Sequence, residues 1–204
     1  MKINKIKALC KAEKQCVIYE SGARRMLGTL NAVYPAERLS ISKHSLRTLF
    51  DWTGVEGELN IETMLLEDSR LCPHNFGIAS TQEMMIGYPI TYLDETVIPL
   101  GEDGKLYFVK EEYVNAAEKM EGYTKYYLAR NILGEPLVVV SDGLITTAII
   151  KPLPRNTAEK IRIYMESMGK MTARGWVDEK ATVKDMEIPG QIDMDEMLEE
   201  AKGG

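Results

Sequence analysis

The sequence has few of the residues that build metal centres and disulfide frameworks. Among 204 residues there are three cysteines and two histidines, and no cysteine pair has Cys-x2-Cys spacing. This odd, sparse set of cysteines indicates free thiols in a reducing compartment. Cys10, Cys16, Cys72 and His74 could together supply four zinc ligands, but structural zinc sites usually contain a closely spaced cysteine pair. We therefore expect no bound metal and no cofactor.

Motifs that identify common enzyme classes are also missing from the sequence. It contains no Gly-x-Ser-x-Gly, no P-loop, no Gly-x-Gly-x-x-Gly and no His-Glu-x-x-His. Adjacent acids such as Glu111 and Glu112 would point to different faces of a helix, so they make no two-carboxylate site. His44 stands at the start of a predicted helix, where a surface position is expected. The expectation is a protein without enzymatic activity and without catalytic residues.

Long apolar runs and aromatic residues are scarce. No run approaches the roughly 20 apolar residues that a membrane-spanning helix needs, and the N-terminal MKINKIKALCKAEK lacks the apolar region of a signal peptide. Aromatic residues make up 7% of the sequence, with no exposed run of the kind that stacks on single-stranded nucleic acid. Since 45% of the residues are hydrophobic, a core can form. A cytoplasmic globular protein without membrane contact is expected.

What the sequence does have is charge that is unevenly distributed. The net charge is -6, yet residues 1–14 contain five lysines and one glutamate, and residues 155–174 contain five basic residues and two glutamates. Residues 175–204 reverse this balance with nine acidic residues and three lysines. Basic helices on an acidic protein suit sequence-independent contact with DNA phosphates, although such lysines are often only a solvated helix face. The predicted DNA-binding residues are Lys5, Lys7, Lys11, Lys14, Arg162, Lys170 and Arg174.

The first helix has an apolar stripe as well as its lysines. Ile3, Ile6, Leu9 and Cys10 recur at helical spacing in the N-terminal segment. Lys7, Lys11 and Lys14 would follow one edge of that stripe. The pattern predicts a helix that packs on the rest of the protein and presents lysines to solvent.

The second half predicts a strand, a short helix and a meander. Residues 105–109 are rich in β-branched and aromatic side chains, and residues 110–120 then have apolar residues at helical spacing. Three strand-like runs follow at residues 125–132, 136–140 and 144–152, separated by turn-forming residues. The sequence therefore indicates three antiparallel strands after the helix.

The first half predicts a comparable set of elements. Strand-like runs lie at residues 16–19, 26–34, 39–41 and 58–66. Ser42 can cap a helix before the last of these runs, and residues 67–87 have the composition of a linker. We therefore expect an α+β protein with a boundary near residue 88. Its parts would be an N-terminal α+β domain at 1–88, a C-terminal α+β domain at 89–174 and an acidic tail at 175–204.

Two segments of the second half resemble the repeating unit of the DNA sliding clamps, which are ring-shaped polymerase processivity factors. VKEEYVNAAEKM at 109–120 is similar to the segment of a bacterial clamp repeat where a strand runs into a helix. EPLVVVSDGLITTAIIKPL at 135–153 is similar to the closing hairpin of a clamp subunit. The resemblance implies two small domains of short helices packed on antiparallel sheets. It also implies a homo-oligomer on duplex DNA, with a DNA polymerase or other replication protein as partner.

Two further patterns bear on this resemblance. LSISKHSLRTLF in the first half is a weak echo of YFVKEEYVNAAEKM in the second, as a duplicated clamp unit would leave. A helix predicted over residues 156–171, with Asn156 as its N-cap, would extend past the usual end of a clamp subunit. The first expectation remains a clamp-like factor that encircles or tracks duplex DNA and tethers a polymerase.

The acidic tail supports competing interpretations. Gln191, Ile192 and Met194 are similar to the short Gln-led peptides with which clamp clients bind a clamp, and Leu198 extends the apolar pattern. These four residues are the predicted partner-binding residues. The chain would then be a replisome client, or a protein-interaction module of phage or mobile-element origin that inhibits or recruits a host complex.

Overall fold

A computed structural model describes residues 2–36, 41–50, 60–74, 82–117 and 123–177. The helices in these ranges are α1 (Ile3–Ala12), α2 (Lys43–Leu49), α3 (Glu111–Ala116) and α4 (Arg155–Val177), with a 3-10 turn at Leu66–Asp68. The strands are β1 (Gln15–Ser21), β2 (Arg24–Gly28), β3 (Ala32–Pro35), β4 (Asn60–Leu65), β5 (Gln82–Glu83), β6 (Met85–Ile86), β7 (Ile90–Tyr92), β8 (Glu95–Glu102), β9 (Lys105–Lys110), β10 (Thr124–Arg130), β11 (Pro136–Asp142) and β12 (Ile145–Ile150). The protein is α+β, as the sequence predicts.

The larger sheet contains a repeated helix-meander unit. Its strand order is β4-β1-β2-β3-β12-β11-β10-β5, with β4 parallel to β1 and the other pairs antiparallel. In each unit a short helix precedes three antiparallel strands: α1 precedes β1, β2 and β3, and α3 precedes β10, β11 and β12. The last strands, β3 and β12, pair with each other, and the two helices pack together. The repeat therefore begins at α1 and α3. The sequence echo at LSISKHSLRTLF falls partly on residues 39 and 40, which lie outside the described residues, and it stays a prediction.

The chain divides into two compact units, residues 1–159 and residues 160–204. The first unit contains every strand that the structure describes, and α4 begins in the first unit and ends in the second. Pairing of β3 with β12 joins strands from both sides of residue 88. The predicted boundary at that residue stays a prediction.

Both faces of the larger sheet bury apolar residues. Cys16 and Ile18 of β1 belong to a core cluster that includes residues of α1, α2 and α3. Val17 and Tyr19 alternate with them and belong to a second cluster, which includes Leu66. A strand buried on both faces explains the continuous apolar run CVIY in the sequence.

The smaller sheet is built around β8. This strand pairs with β9 along one edge and with both β6 and β7 along the other. The amide of Gly87, between β6 and β7, donates to the carbonyl of Pro99 in β8 at 2.8 Å. Pro99 has no amide hydrogen to donate. Its nitrogen faces the gap between β6 and β7, where the sheet needs no donor.

The predicted strand over residues 26–34 was wrong, because β2 and β3 occupy this region with a tight turn between them. The buried Thr29 closes the turn: its amide donates to the carbonyl of Ala32 at 2.8 Å, and its hydroxyl oxygen accepts from the amide of Asn31 at 3.1 Å. A threonine can supply such a side-chain acceptor, although Thr-Leu-Asn is not a strong turn signal.

The start of α4 also differs from the prediction. The helix begins at Arg155, and the amide of Ala158 donates to the carbonyl of Pro154 at 2.9 Å. Asn156 therefore lies inside the first turn, where its side chain accepts from the amide of Thr157 at 2.9 Å, and it is not the N-cap. Predictions for β10, β11 and β12 were confirmed to within two residues.

Candidate nucleic-acid interface on helix α1

Helix α1 is fixed to the larger sheet by the apolar stripe that the sequence predicts. Ile6, Leu9 and Cys10 are buried, and Ile3 packs against the same core cluster. Their spacing places them on one side of the helix. The other side of α1 therefore faces away from the core.

The two ends of α1 are also tied to neighbouring structure. The amide of Lys2, just before the helix, donates to the carbonyl of Ala116 at the end of α3, at 3.2 Å. At the other end, Lys14 has a φ of 54° and its amide donates to the carbonyl of Lys11 at 3.2 Å. A left-handed residue here ends the helix and turns the chain into β1.

The predicted DNA-binding lysines in α1 and just after it differ in exposure. Lys5, Lys11 and Lys14 are exposed, whereas Lys7 is half-buried. Exposed ammonium groups on a fixed helix can contact phosphates without reading base sequence. Lys5, Lys11 and Lys14 are therefore the best placed for such contact, and the DNA-binding role of the set stays a prediction.

Glu13 organises a polar cluster at the C-terminal end of α1. Its Oε1 accepts from the hydroxyl of Tyr113 at 2.7 Å and from the hydroxyl of Thr29 at 3.1 Å. Its Oε2 accepts from the side-chain amide of Asn31 at 2.9 Å. Because Tyr113 lies in α3 and the other two lie in the β2–β3 turn, one carboxylate joins three elements. No sequence pattern indicates this cluster, because its members are far apart in the chain.

Three buried tyrosines donate hydrogen bonds around this cluster. The hydroxyl of Tyr19 donates to the carbonyl of Thr29 at 2.6 Å, and that of Tyr34 donates to the carbonyl of Tyr113 at 2.8 Å. Burial raises the pKa of Tyr19 and of Tyr34. Burial, followed by the hydrogen bond to Glu13, raises the pKa of Tyr113. All three phenols are therefore kept neutral in the folded protein.

We expect the protein to lose stability above about pH 10, the ordinary pKa of tyrosine. Each tyrosine has a higher pKa in the folded protein than in the unfolded chain, so its stabilising contribution is complete below the unfolded pKa. As the pH rises from the unfolded pKa to the folded pKa, the unfolded chain loses the proton first and this contribution is lost. In this range, each of Tyr19, Tyr34 and Tyr113 should lower the free energy of unfolding by about 1.4 kcal/mol per pH unit. Urea denaturation at pH 8 to 11 measures it, with Tyr34→Phe as the variant that should show a smaller slope. Parallel curves for both proteins would contradict the assignment.

An acidic groove lies beside α1. It has a volume of about 460 Å³ and is lined by Lys5, Ala8, Leu9, Asp94, Glu95, Thr96, Lys110, Glu111, Glu112 and Asn115. The ammonium of Lys110 is paired with Glu95 at 2.6 Å. Carboxylates outnumber ammonium groups in this lining, so the groove itself disfavours phosphates. DNA contact is therefore expected on the exposed face of α1 and not within the groove. Lys5 is exposed and also lines the groove, so Lys11 and Lys14 are the exposed lysines of the set that lie outside it.

The other predicted DNA-binding residues lie in α4. The guanidinium of Arg162 is paired with the carboxylate of Glu166 one turn later, which leaves less of its charge for phosphates. Lys170 and Arg174 lie on the same helix, and their side chains fall outside the described residues. Gln191, Ile192, Met194 and Leu198 also lie outside the described residues, so partner binding by the tail stays a prediction.

The four residues considered as zinc ligands do not converge. Cys10 and Cys16 belong to one core cluster, whereas Cys72 packs against the cluster on the other face of the sheet. Within residues 2–36, 41–50, 60–74, 82–117 and 123–177, no group of three or more His, Cys, Asp or Glu side chains is arranged to hold a metal ion. The described residues therefore offer no metal site of this kind.

Comparisons with protein-family models, with curated proteins and with solved structures give no match to this chain. Functional inference thus depends on the geometry of the chain itself. Among the described residues, no helix has both the length and the apolar character to cross a membrane.

Proposed function

We propose that this chain is a non-enzymatic, sliding-clamp-like processivity factor. It would encircle or track duplex DNA in the cytoplasm and tether a DNA polymerase or other replication protein. A homo-oligomer is part of the proposal, since one chain with two helix-meander units is short for enclosing a duplex. The single observation that carries the proposal is the basic helix α1, which packs against α3 of the second helix-meander unit. It has exposed lysines at Lys5 and Lys11, and the exposed Lys14 follows its end.

The repeated unit supports this proposal in a second way. Two helices that each precede a three-stranded meander, with the meanders joined edge to edge, place both helices on one face of a continuous sheet. Such a sheet is a rigid backing for helices that slide along phosphates without gripping bases. The acidic groove beside α1 would further limit tight contact, because it repels phosphates.

The β10–β11 turn favours an alternative function, that of a protein-interaction module. The β10–β11 turn presents Ile132 and Leu133, which are both mostly exposed. Buried Asn131 fixes the turn, since its Oδ1 accepts from the amides of Leu133 and Glu135, each at 2.9 Å, and its Nδ2 donates to the carbonyl of Arg70 at 3.1 Å. A rigid turn with two outward aliphatic side chains is a reasonable anchor for a partner protein.

The test compares how much protein stays bound to linear DNA, which has open ends, and to circular DNA, which has none. Closed circular duplex and linear duplex of equal length are incubated with the protein and separated from free protein by gel filtration. We expect retention on the circle and loss from the linear form, because a tracking protein slides off open ends. The variant Lys5→Glu, Lys11→Glu, Lys14→Glu should reduce retention on the circle by roughly tenfold or more, because phosphate contacts become repulsive.

A matched variant controls for net charge. Lys43, Arg47 and Lys105 are exposed in the same compact unit but lie outside α1, so changing all three to glutamate alters the charge equally. This variant should keep most of the retention. Equal loss of retention in both triple variants would show a nonspecific charge effect. Equal retention of the wild type and of the variant with Lys5, Lys11 and Lys14 changed would show that these lysines do not contact DNA. Light scattering on the same samples reports the homo-oligomer.

A further inference from the structure

Two buried cysteines lie in the same core beneath α1. Cys10, on the helix, and Cys16, on β1, both have 0% exposure and belong to the same core cluster. The Cys10 thiol lies 3.6 Å from the carbonyl oxygen of Gly28. Gly28 pairs with Val17, the neighbour of Cys16 in β1, so the helix cysteine lies directly above the start of this strand. The two thiols therefore lie close to each other within one core.

We propose that Cys10 and Cys16 are a modification site that forms an intramolecular disulfide when the protein meets a peroxide. In the first step one thiol attacks the peroxide, which converts it to a sulfenic acid and releases one water. In the second step the other thiol attacks the sulfenic sulfur, forms the S–S bond and releases a second water. Two thiols are thus oxidised to one disulfide while one hydrogen peroxide is reduced to two waters.

The native packing protects this pair until α1 moves. Both thiols are buried, and the pKa of Cys10 is strongly raised, first by its interaction with Cys16 and then by burial. A thiol reacts as its thiolate, so the closed protein is a poor target for the oxidant. Transient lifting of α1 from the sheet exposes both sulfurs together. Oxidation of the pair therefore indicates that α1 has lifted from the sheet.

The disulfide would change how α1 behaves once it has formed. It would close a short loop that contains Lys11, Glu13 and Lys14, and would join the end of the helix covalently to β1. Lifting of α1 would then be restricted, because the cross-link removes open conformations. The consequence for DNA rests on the proposed function, since Lys11 and Lys14 belong to the predicted DNA face, but the disulfide itself does not.

The experiment uses the full chain carrying Cys72→Ser, so that only the pair remains. The folded protein is treated with hydrogen peroxide, denatured in the presence of an alkylating reagent, digested and analysed by mass spectrometry. We expect alkylatable thiols to fall from two per chain to none, with Cys10 and Cys16 in one linked peptide. Amide exchange in α1 should become roughly tenfold slower after oxidation. No DNA is used, so failure of the DNA assay would leave this result unaffected.

Two controls make the outcome decisive. In the variant that also carries Cys16→Ala, Cys10 has no neighbour and should give no intramolecular link. In the wild type, the half-buried Cys72 reports that the peroxide treatment reached a thiol. The proposal is overturned if both thiols of the pair remain alkylatable under conditions that oxidise Cys72. It is also overturned if the links join different chains, or if exchange in α1 is as fast after oxidation as before.

Discussion

Replacing Gly28 by alanine should lower the free energy of unfolding by about 3 kcal/mol or more. A Cβ at this position would lie 2.0 Å from the carbonyl oxygen of Ala32 and 2.8 Å from the Cα of Val33. Both are backbone atoms of β3, and Gly28 pairs with Val33 in the ladder between β2 and β3. The clash involves backbone atoms, so rotating a side chain cannot relieve it. The two strands would have to separate.

A second strand glycine offers a matched control. At Gly101 in β8 the nearest atoms to a new Cβ would be the Cδ2 of Leu106 at 3.8 Å and the carbonyl oxygen of Met85 at 3.9 Å, which are ordinary contact distances. Gly101→Ala should therefore change stability by less than about 1 kcal/mol, in either direction. Urea denaturation of both variants measures the difference. Similar midpoints for the two proteins would show that β2 and β3 adjust to a side chain at Gly28.

Replacing Glu13 by alanine should cost about 2 to 3 kcal/mol of folding free energy. The carboxylate accepts hydrogen bonds from Tyr113, Thr29 and Asn31, and its loss leaves three donors around an empty position. Unsatisfied buried donors are more costly than the loss of an exposed hydrogen bond. Glu13→Gln should cost less, because the amide keeps one acceptor oxygen.

A double-mutant cycle isolates the contact between α1 and α3. Tyr113→Phe removes the hydroxyl that donates to Glu13 and keeps the buried ring. If the pair is coupled as the distance indicates, the effects of Glu13→Ala and Tyr113→Phe should fall short of additivity by about 1 to 2 kcal/mol. The exposed Glu112, changed to alanine, is the control and should shift stability by only a few tenths of a kcal/mol. Additive effects would mean that the two side chains stabilise the fold independently.

The second half was more predictable from sequence than the first for local reasons. Strands β10, β11 and β12 are separated by turns with glycine at positive φ, at Gly134 and Gly143, and such turns leave a clear signal. β8 contains Pro99 and Gly101, two residues that usually interrupt strands, so its pattern was hidden. The proline is accommodated only because β6 and β7 leave a gap opposite it, which is a tertiary circumstance.

The candidate site was predictable only in part. Periodicity gave the buried stripe of α1, because three buried residues and one half-buried residue lie on one helical face. The role of Glu13 could not be found in this way. Its partners are Tyr113, in α3, and two residues of a turn, and only the pairing of distant strands brings these segments together. No spacing rule connects such residues.

The pairing of β3 with β12 also sets the order in which the chain can fold during synthesis. Val33 pairs with Ile149, so the first meander leaves the ribosome long before its neighbouring strand exists. Until then β3 has an open edge on a strand whose residues are largely apolar, and such an edge can pair with other chains. Slow closure of this contact, which is distant in sequence, would make the nascent chain most vulnerable to aggregation while residues after β3 are still being added.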